Sequence, residues 1–205
     1  MKNTVSLAAL ALVGATAANA ATLTNGSFET FGTLTGAIHA GSGTLTGWTV
    51  ESGSVDVIGS GLWAPSDGAH SLDLAGDSPG TISQNIGGLI TGRDYTLSFD
   101  LAANTYPFDT VIKEVAVTVG GATTNFTFDR TGHSPASMGW TTQAVVFTAS
   151  GADTLLRFTA GLSGASGPAL DNVRVELNAV PIPGAALMLG TALAGLGVAR
   201  RRKRV

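Results

Sequence analysis

Short runs of alternating apolar and polar residues, each bounded by Gly, Asn, Asp, Ser or Pro, recur through the middle of the chain and constrain its fold more than any other feature. In Tyr95-Thr96-Leu97-Ser98-Phe99-Asp100-Leu101 the apolar residues fall on alternate positions, so an extended chain places them all on one face. Val115, Val117 and Val119 repeat the pattern, as do Phe126 and Phe128. Leu156, Phe158, Leu170, Val173 and Val175 are further core candidates. The pattern predicts ten strands: Trp48–Val50, Ser54–Ile58, His70–Leu74, Thr81–Ile86, Tyr95–Ala102, Lys113–Val119, Thr123–Phe128, Thr141–Thr148, Thr154–Thr159 and Leu170–Leu177. Gly120-Gly121 reads as a hairpin turn. No helical stretch interrupts these runs, so two packed antiparallel sheets are expected.

Composition agrees. Only 12% of residues are charged and 28 are Gly, a mix that favours strands and turns. There is no Cys, which excludes disulfides, a thiolate nucleophile and a Cys-based zinc site. Between Glu29 and Glu176 lie all 14 acidic residues but only five basic ones, Arg93, Lys113, Arg130, Arg157 and Arg174. A domain this acidic repels a phosphate backbone, so no nucleic-acid partner is expected. The acidity is compatible with bound divalent cations.

The remaining basic residues sit at the two ends, which read as targeting segments. Residues 1–20 form a signal peptide: Lys2, an apolar stretch from Val5 to Ala17, then Ala18-Asn19-Ala20, the small-x-small pattern read by signal peptidase. An uncleaved anchor or a buried helix is the alternative. Residues 180–205 form a second signal. Val180 to Ala199 carry no charge, which is long enough for a marginal transmembrane helix over 182–199, rich in small residues. A basic tail follows over 200–205, with Arg200, Arg201 and Arg202 at its head, and it should stay cytoplasmic. The prolines Pro181 and Pro183 remove backbone donors and hold an extended segment that a protease can bind. Val180-Pro181-Ile182-Pro183-Gly184, an apolar helix and an Arg run together resemble the PEP-CTERM sorting tail of Gram-negative bacteria. The resemblance implies an exosortase-like membrane protease as partner and delivery to the cell surface. Ile182 stands where the usual motif has Glu.

Residues 21–179 are then one domain, and its motifs resemble a second family. Asn25-Gly26-Ser27-Phe28-Glu29 opens it, Gly47-Trp48-Thr49-Val50 and Ser71-Leu72-Asp73-Leu74 follow, and Gly167-Pro168-Ala169-Leu170-Asp171-Asn172-Val173 closes it. In that order they are similar to the choice-of-anchor C family of bacterial exported proteins, related to a plant cell-wall family and to galactose-binding-like jelly rolls. The implied fold is an all-β jelly-roll sandwich. The implied setting is extracellular, with carbohydrate as a ligand and no established reaction.

The resembling carbohydrate-binding modules often hold a structural Ca²⁺ with a Glu and an Asp where this chain has Glu29 and Asp171. Oxygen ligands at the junction of first and last strands suit Ca²⁺. Alternatively, the two side chains accept backbone N–H bonds. For a sugar, Trp63 and Tyr106 lie in turn-rich segments and offer aromatic platforms, with Asp67, His70 and Asn104 as hydrogen-bonding groups. The competing reading folds these aromatics back onto the core. Trp48 and Trp140, at strand starts, read as core. Catalytic motifs are weak. His39, His70 and His133 lack metalloprotease spacing, no G-x-S-x-G elbow occurs, and Asp73, Asp77 and Asp100 offer a glycosidase carboxylate pair only in principle. The expectation is a non-enzymatic surface or extracellular-matrix protein that binds polysaccharide. A structural or adhesive protein without a sugar site is the alternative, and a glycoside hydrolase comes third.

Overall fold

The alternating runs become strands, and the computed structural model describes residues 20–106, 110–161 and 164–179. Among these residues there are eleven strands and no helix. They are β1 (Ile38–His39), β2 (Thr49–Ser52), β3 (Ser54–Gly59), β4 (His70–Asp73), β5 (Thr81–Ile86), β6 (Asp94–Ala103), β7 (Ile112–Val119), β8 (Ala122–Asp129), β9 (Thr141–Thr148), β10 (Thr154–Ala160) and β11 (Pro168–Leu177). All ten predicted strands are present, two of them, β5 and β9, with the predicted bounds. Only β1 was unexpected, because two residues carry no legible alternation.

Two antiparallel sheets form, one ordered β1-β3-β4-β11-β6-β9 and the other β2-β5-β10-β7-β8. The pairings nest. Around the β7–β8 hairpin lie β6–β9, β5–β10 and β4–β11, which is one long folded hairpin rolled into a sandwich, the jelly-roll arrangement. Apolar faces meet between the sheets. Tyr95, Leu97, Phe99 and Leu101 of β6 oppose Val115, Val117 and Val119 of β7 and Leu156 and Phe158 of β10, all buried. Phe99 sits edge-on to Phe158 at 5.1 Å and to Phe126 at 5.3 Å. Burial of each such ring contributes about 1.5–3 kcal/mol. Trp48 is buried as expected, while Trp140 is half-buried.

The segments 1–19 and 180–205, with the signal peptide, the sorting tail and its transmembrane helix, lie outside the described residues. Among the described residues no helix is long and apolar enough to cross a membrane.

Candidate functional site

The outward face of the six-stranded sheet carries an unusual charge load. Strand register sets Asp56 beside Asp73, and sets Asp171 beside Asp100, which in turn faces Thr142. Alternation puts these side chains opposite the core. Bare carboxylates crowded this closely would repel one another, so each must find donors or shed its charge. The 60–69 segment between β3 and β4 supplies the donors. The backbone N–H groups of Ser66 and Asp67 both donate to Asp171 Oδ2, at 2.8 Å each, and Asn172 N–H donates to Oδ1 at 2.7 Å. Asp100 Oδ2 accepts from Ser66 Oγ (2.5 Å) and Asn172 Nδ2 (2.9 Å), and its Oδ1 accepts from Thr142 Oγ1 (2.6 Å). Burial pushes the Asp171 carboxyl up to about 6 in spite of its three amide donors. Burial pushes Asp100 upward too, but its three side-chain donors and Arg174 outweigh it and leave the carboxyl below its ordinary range.

The opening segment of the domain reaches the same loop. Asn25 and Phe28 both take positive φ, 56° each, and fold the chain tightly. The Asn25 side chain fastens that turn, accepting from Thr30 N–H and donating to the Thr30 and Thr46 carbonyls. Phe28 points into the core and Glu29 points out. Glu29 Oε1 accepts from the N–H groups of Ala69 (2.7 Å) and His70 (2.8 Å), and Oε2 lies 2.7 Å from His70 Nδ1. Burial raises the Glu29 carboxyl, yet the bonds from His70 and Ala69 hold it below its usual range. Gly68 makes the approach possible: at its φ of +64° a Cβ would stand 2.2 Å from Glu29 Oε1. Ser27 Oγ donates to Asp67 Oδ2 at 2.6 Å, and the Phe31 ring meets the His70 ring edge-on at 4.9 Å. Ser27, Glu29, Phe31, Asp67 and His70 therefore form one polar and aromatic patch.

In the next outward row of the six-stranded sheet, opposite Asp56 and Ala169, Asp73 is 1% exposed. Its Oδ1 accepts from Ala75 and Gly167 N–H at 2.9 Å each, and its Oδ2 accepts from Asn104 Nδ2 at 2.7 Å. Burial drives its pKa up to about 7 against the pull of those donors, and Asp56 adds to the rise. Asn104 Oδ1 accepts from Tyr106 N–H at 2.9 Å, and the Tyr106 side chain is 55% exposed. A buried carboxyl thus positions the backbone that presents an exposed ring.

The predicted residues separate accordingly. Glu29, Asp67, His70 and Asp171 converge on the 66–70 segment, while Asn104 and Tyr106 converge on Asp73. Trp63 does not present a platform: it is 6% exposed, belongs to the buried apolar cluster, and donates from Nε1 to Ser71 Oγ at 2.7 Å. The loop folds back over the sheet, and the indole gains burial with its N–H satisfied. The expected calcium pair, Glu29 and Asp171, accepts backbone hydrogen bonds in this arrangement. Among the described residues no group of three or more His, Asp or Glu is placed to hold a metal. A cavity of about 360 Å³ lies apart from these carboxylates, within the loop Thr33–Thr44.

Sequence reasoning passed over Asp100 and Asp73 as organisers of the outward face, although both occupy outward slots of alternating runs. That period was the available signal; their partners, Ser66, Thr142 and Asn104, could not be read from it.

Known proteins share this fold. The fold is similar to that of TmCBM61, solved in complex with β-1,4-galactotriose, with 16% identity, a TM-score of 0.51, and coverage of 76% of this chain and 97% of that one. It is also similar to a cyclase from Fischerella sp. TAU, with 15% identity, a TM-score of 0.52, and coverage of 80% and 98%. At such identities the likeness speaks for the fold. In sequence, the chain is 34% identical over 195 residues to Halomucin of Haloquadratum walsbyi, covering 89% of this chain and 2% of that much longer protein. Residues 21–176, from the segment that docks against the sandwich almost to the end of β11, match the family described as a protein of unknown function, DUF642, and the chain belongs to that family.

Proposed function

We propose that this chain is a non-catalytic carbohydrate-binding module of an exported surface or extracellular-matrix protein. The observation that carries the reading is the likeness to TmCBM61 over 97% of that module, which was solved with a galactotriose. Tyr106 supplies an exposed ring for stacking on a sugar, and Asp67 and His70 supply hydrogen-bonding groups from the patch around 66–70. The carboxylates of the outward face suit no acid–base pair, because Asp73, Asp100 and Asp171 are buried beneath the covering loops and committed to donors. Around the module, residues 1–20 serve as a signal peptide cleaved after Ala20. Residues 180–205 serve as the sorting tail of a choice-of-anchor C type protein. The likeness to Halomucin is in keeping with a surface location.

The test is isothermal titration of the mature domain against galactan, xylan, mannan and β-glucan, with reducing-sugar release followed in parallel. Saturable binding is expected for at least one polymer, about tenfold weaker in Tyr106→Ala or Asp67→Ala, with no sugar released. Silence across the panel would favour a structural or adhesive protein, and steady release of reducing ends would favour a hydrolase.

A further inference from the structure

The five-stranded sheet turns its own outward face to solvent, away from the carboxylates described above. Register assigns that face residue by residue. One row across the strands reads Thr49, Ser83, Arg157, Thr118 and Thr123. The next reads Thr81, Thr159, Ala116 and Asn125. Beyond it Glu114 stands opposite Thr127. The face is therefore built of hydroxyls and amides, with one short residue, Ala116, between Thr159 and Asn125. Gly161 adds a second gap where β10 ends. Together they leave a depression of about 200 Å³ lined by Glu114, Ala116, Asn125, Thr159 and Gly161. Gly161 lies against the carboxylate: a Cβ there would stand 2.9 Å from Glu114 Cβ and 3.4 Å from Glu114 Oε2.

We infer that this depression is a second sugar subsite, taking one neutral ring of a polysaccharide and rejecting uronates. The inference rests on the carbohydrate-binding reading. Its floor of Ala116 and Gly161 lets a ring approach the sheet closely, and its walls offer a carboxylate acceptor, a carboxamide with both donor and acceptor, and a hydroxyl. The Glu114 and Asn125 side chains are exposed and make no hydrogen bond among the described residues, so neither must break one to engage a ligand. The charge of the face sets the class of sugar. Arg157 is consumed by Glu51 in a two-point pair, Nε to Oε2 at 2.6 Å and Nη2 to Oε1 at 3.0 Å. Glu114, on the wall of the depression itself, then presents its carboxylate to any ligand there, which opposes a uronate carboxylate.

Amide chemical-shift mapping of the mature domain, titrated with oligosaccharides of whichever neutral polymer binds and with oligogalacturonate, tests the inference. Saturable shifts at Glu114, Ala116, Asn125 and Gly161 are expected with the neutral ligand and none with oligogalacturonate. Ala116→Leu should weaken the response at this face about tenfold and leave that at Tyr106 intact. Asn125→Ala, at an exposed position, should weaken it several-fold without the added bulk. Glu114→Gln should admit oligogalacturonate. Binding confined to Tyr106, Asp67 and His70, indifferent to Ala116→Leu and Asn125→Ala, would overturn the second subsite and leave the proposed function standing. No binding of any glycan at either face would overturn both.

Discussion

Asp73 shows how one buried carboxyl shapes stability with pH. Its pKa is raised in the fold to about 7 from an ordinary value of 3.8. Between those values the folded chain holds a proton that the unfolded chain has released, so stability is full below about pH 4 and falls as pH rises towards 7. Asp171, at about 6, slopes the same way, whereas the lowered pKa values of Glu29 and Asp100 slope oppositely. Comparison with Asp73→Asn cancels those shared contributions. Urea titrations at pH 4 and pH 7.5 should show the variant gaining on the wild type by about 2–4 kcal/mol as pH rises. A difference that does not change with pH would remove the buried acid from the account. The residue scale was also where the sequence was least legible. Glu29 and Asp171 were found from their motifs, but their N–H partners come from a loop some forty and a hundred positions away. Trp63 looked exposed because turn-rich composition does not say which way a loop folds.

Strands were far more legible than their partners. Alternation is local, so β5 and β9 could be bounded to the residue. Pairing is not local, and nothing in the sequence of β4 names β11 as its neighbour. The irregularity of β11 was hidden for the same reason. Its register against β6 slips between Asp171 and Arg174, and Asn172 sits there with a φ of +53°. Asn tolerates this conformation better than other L residues and here also bonds Asp100. The slip returns Val173 and Val175 to the apolar side after Asp171 has pointed outward. Asn172→Val should therefore cost about 2–4 kcal/mol in denaturant unfolding, combining backbone strain with a lost hydrogen bond. Asn172→Gly should cost less than half as much. Equal losses would show that the positive φ contributes nothing.

For the whole molecule, the segregation of charge is the property that sequence alone discloses, and export is its natural reading. The protein recovered from the surface fraction of its native host should have an intact mass beginning at Ala21 and ending near Pro183. A mass that still includes Arg200 to Arg204 would make the tail a permanent anchor. The placement of the domain's two ends bears on how it would sit within a longer chain. Thr22 exchanges both backbone hydrogen bonds with Gly87, while Asn178 N–H bonds the Asp94 carbonyl. Only the β5–β6 connection separates those two partners, so the polypeptide enters and leaves at one pole. Tyr106 lies past the far end of β6, whose ten residues run about 30 Å. Threaded into a longer polymer, such a unit adds almost nothing to contour length. It hangs from the backbone as a pendant, so stretching the polymer would pull across one pole and leave the ring-bearing pole unloaded and facing outward.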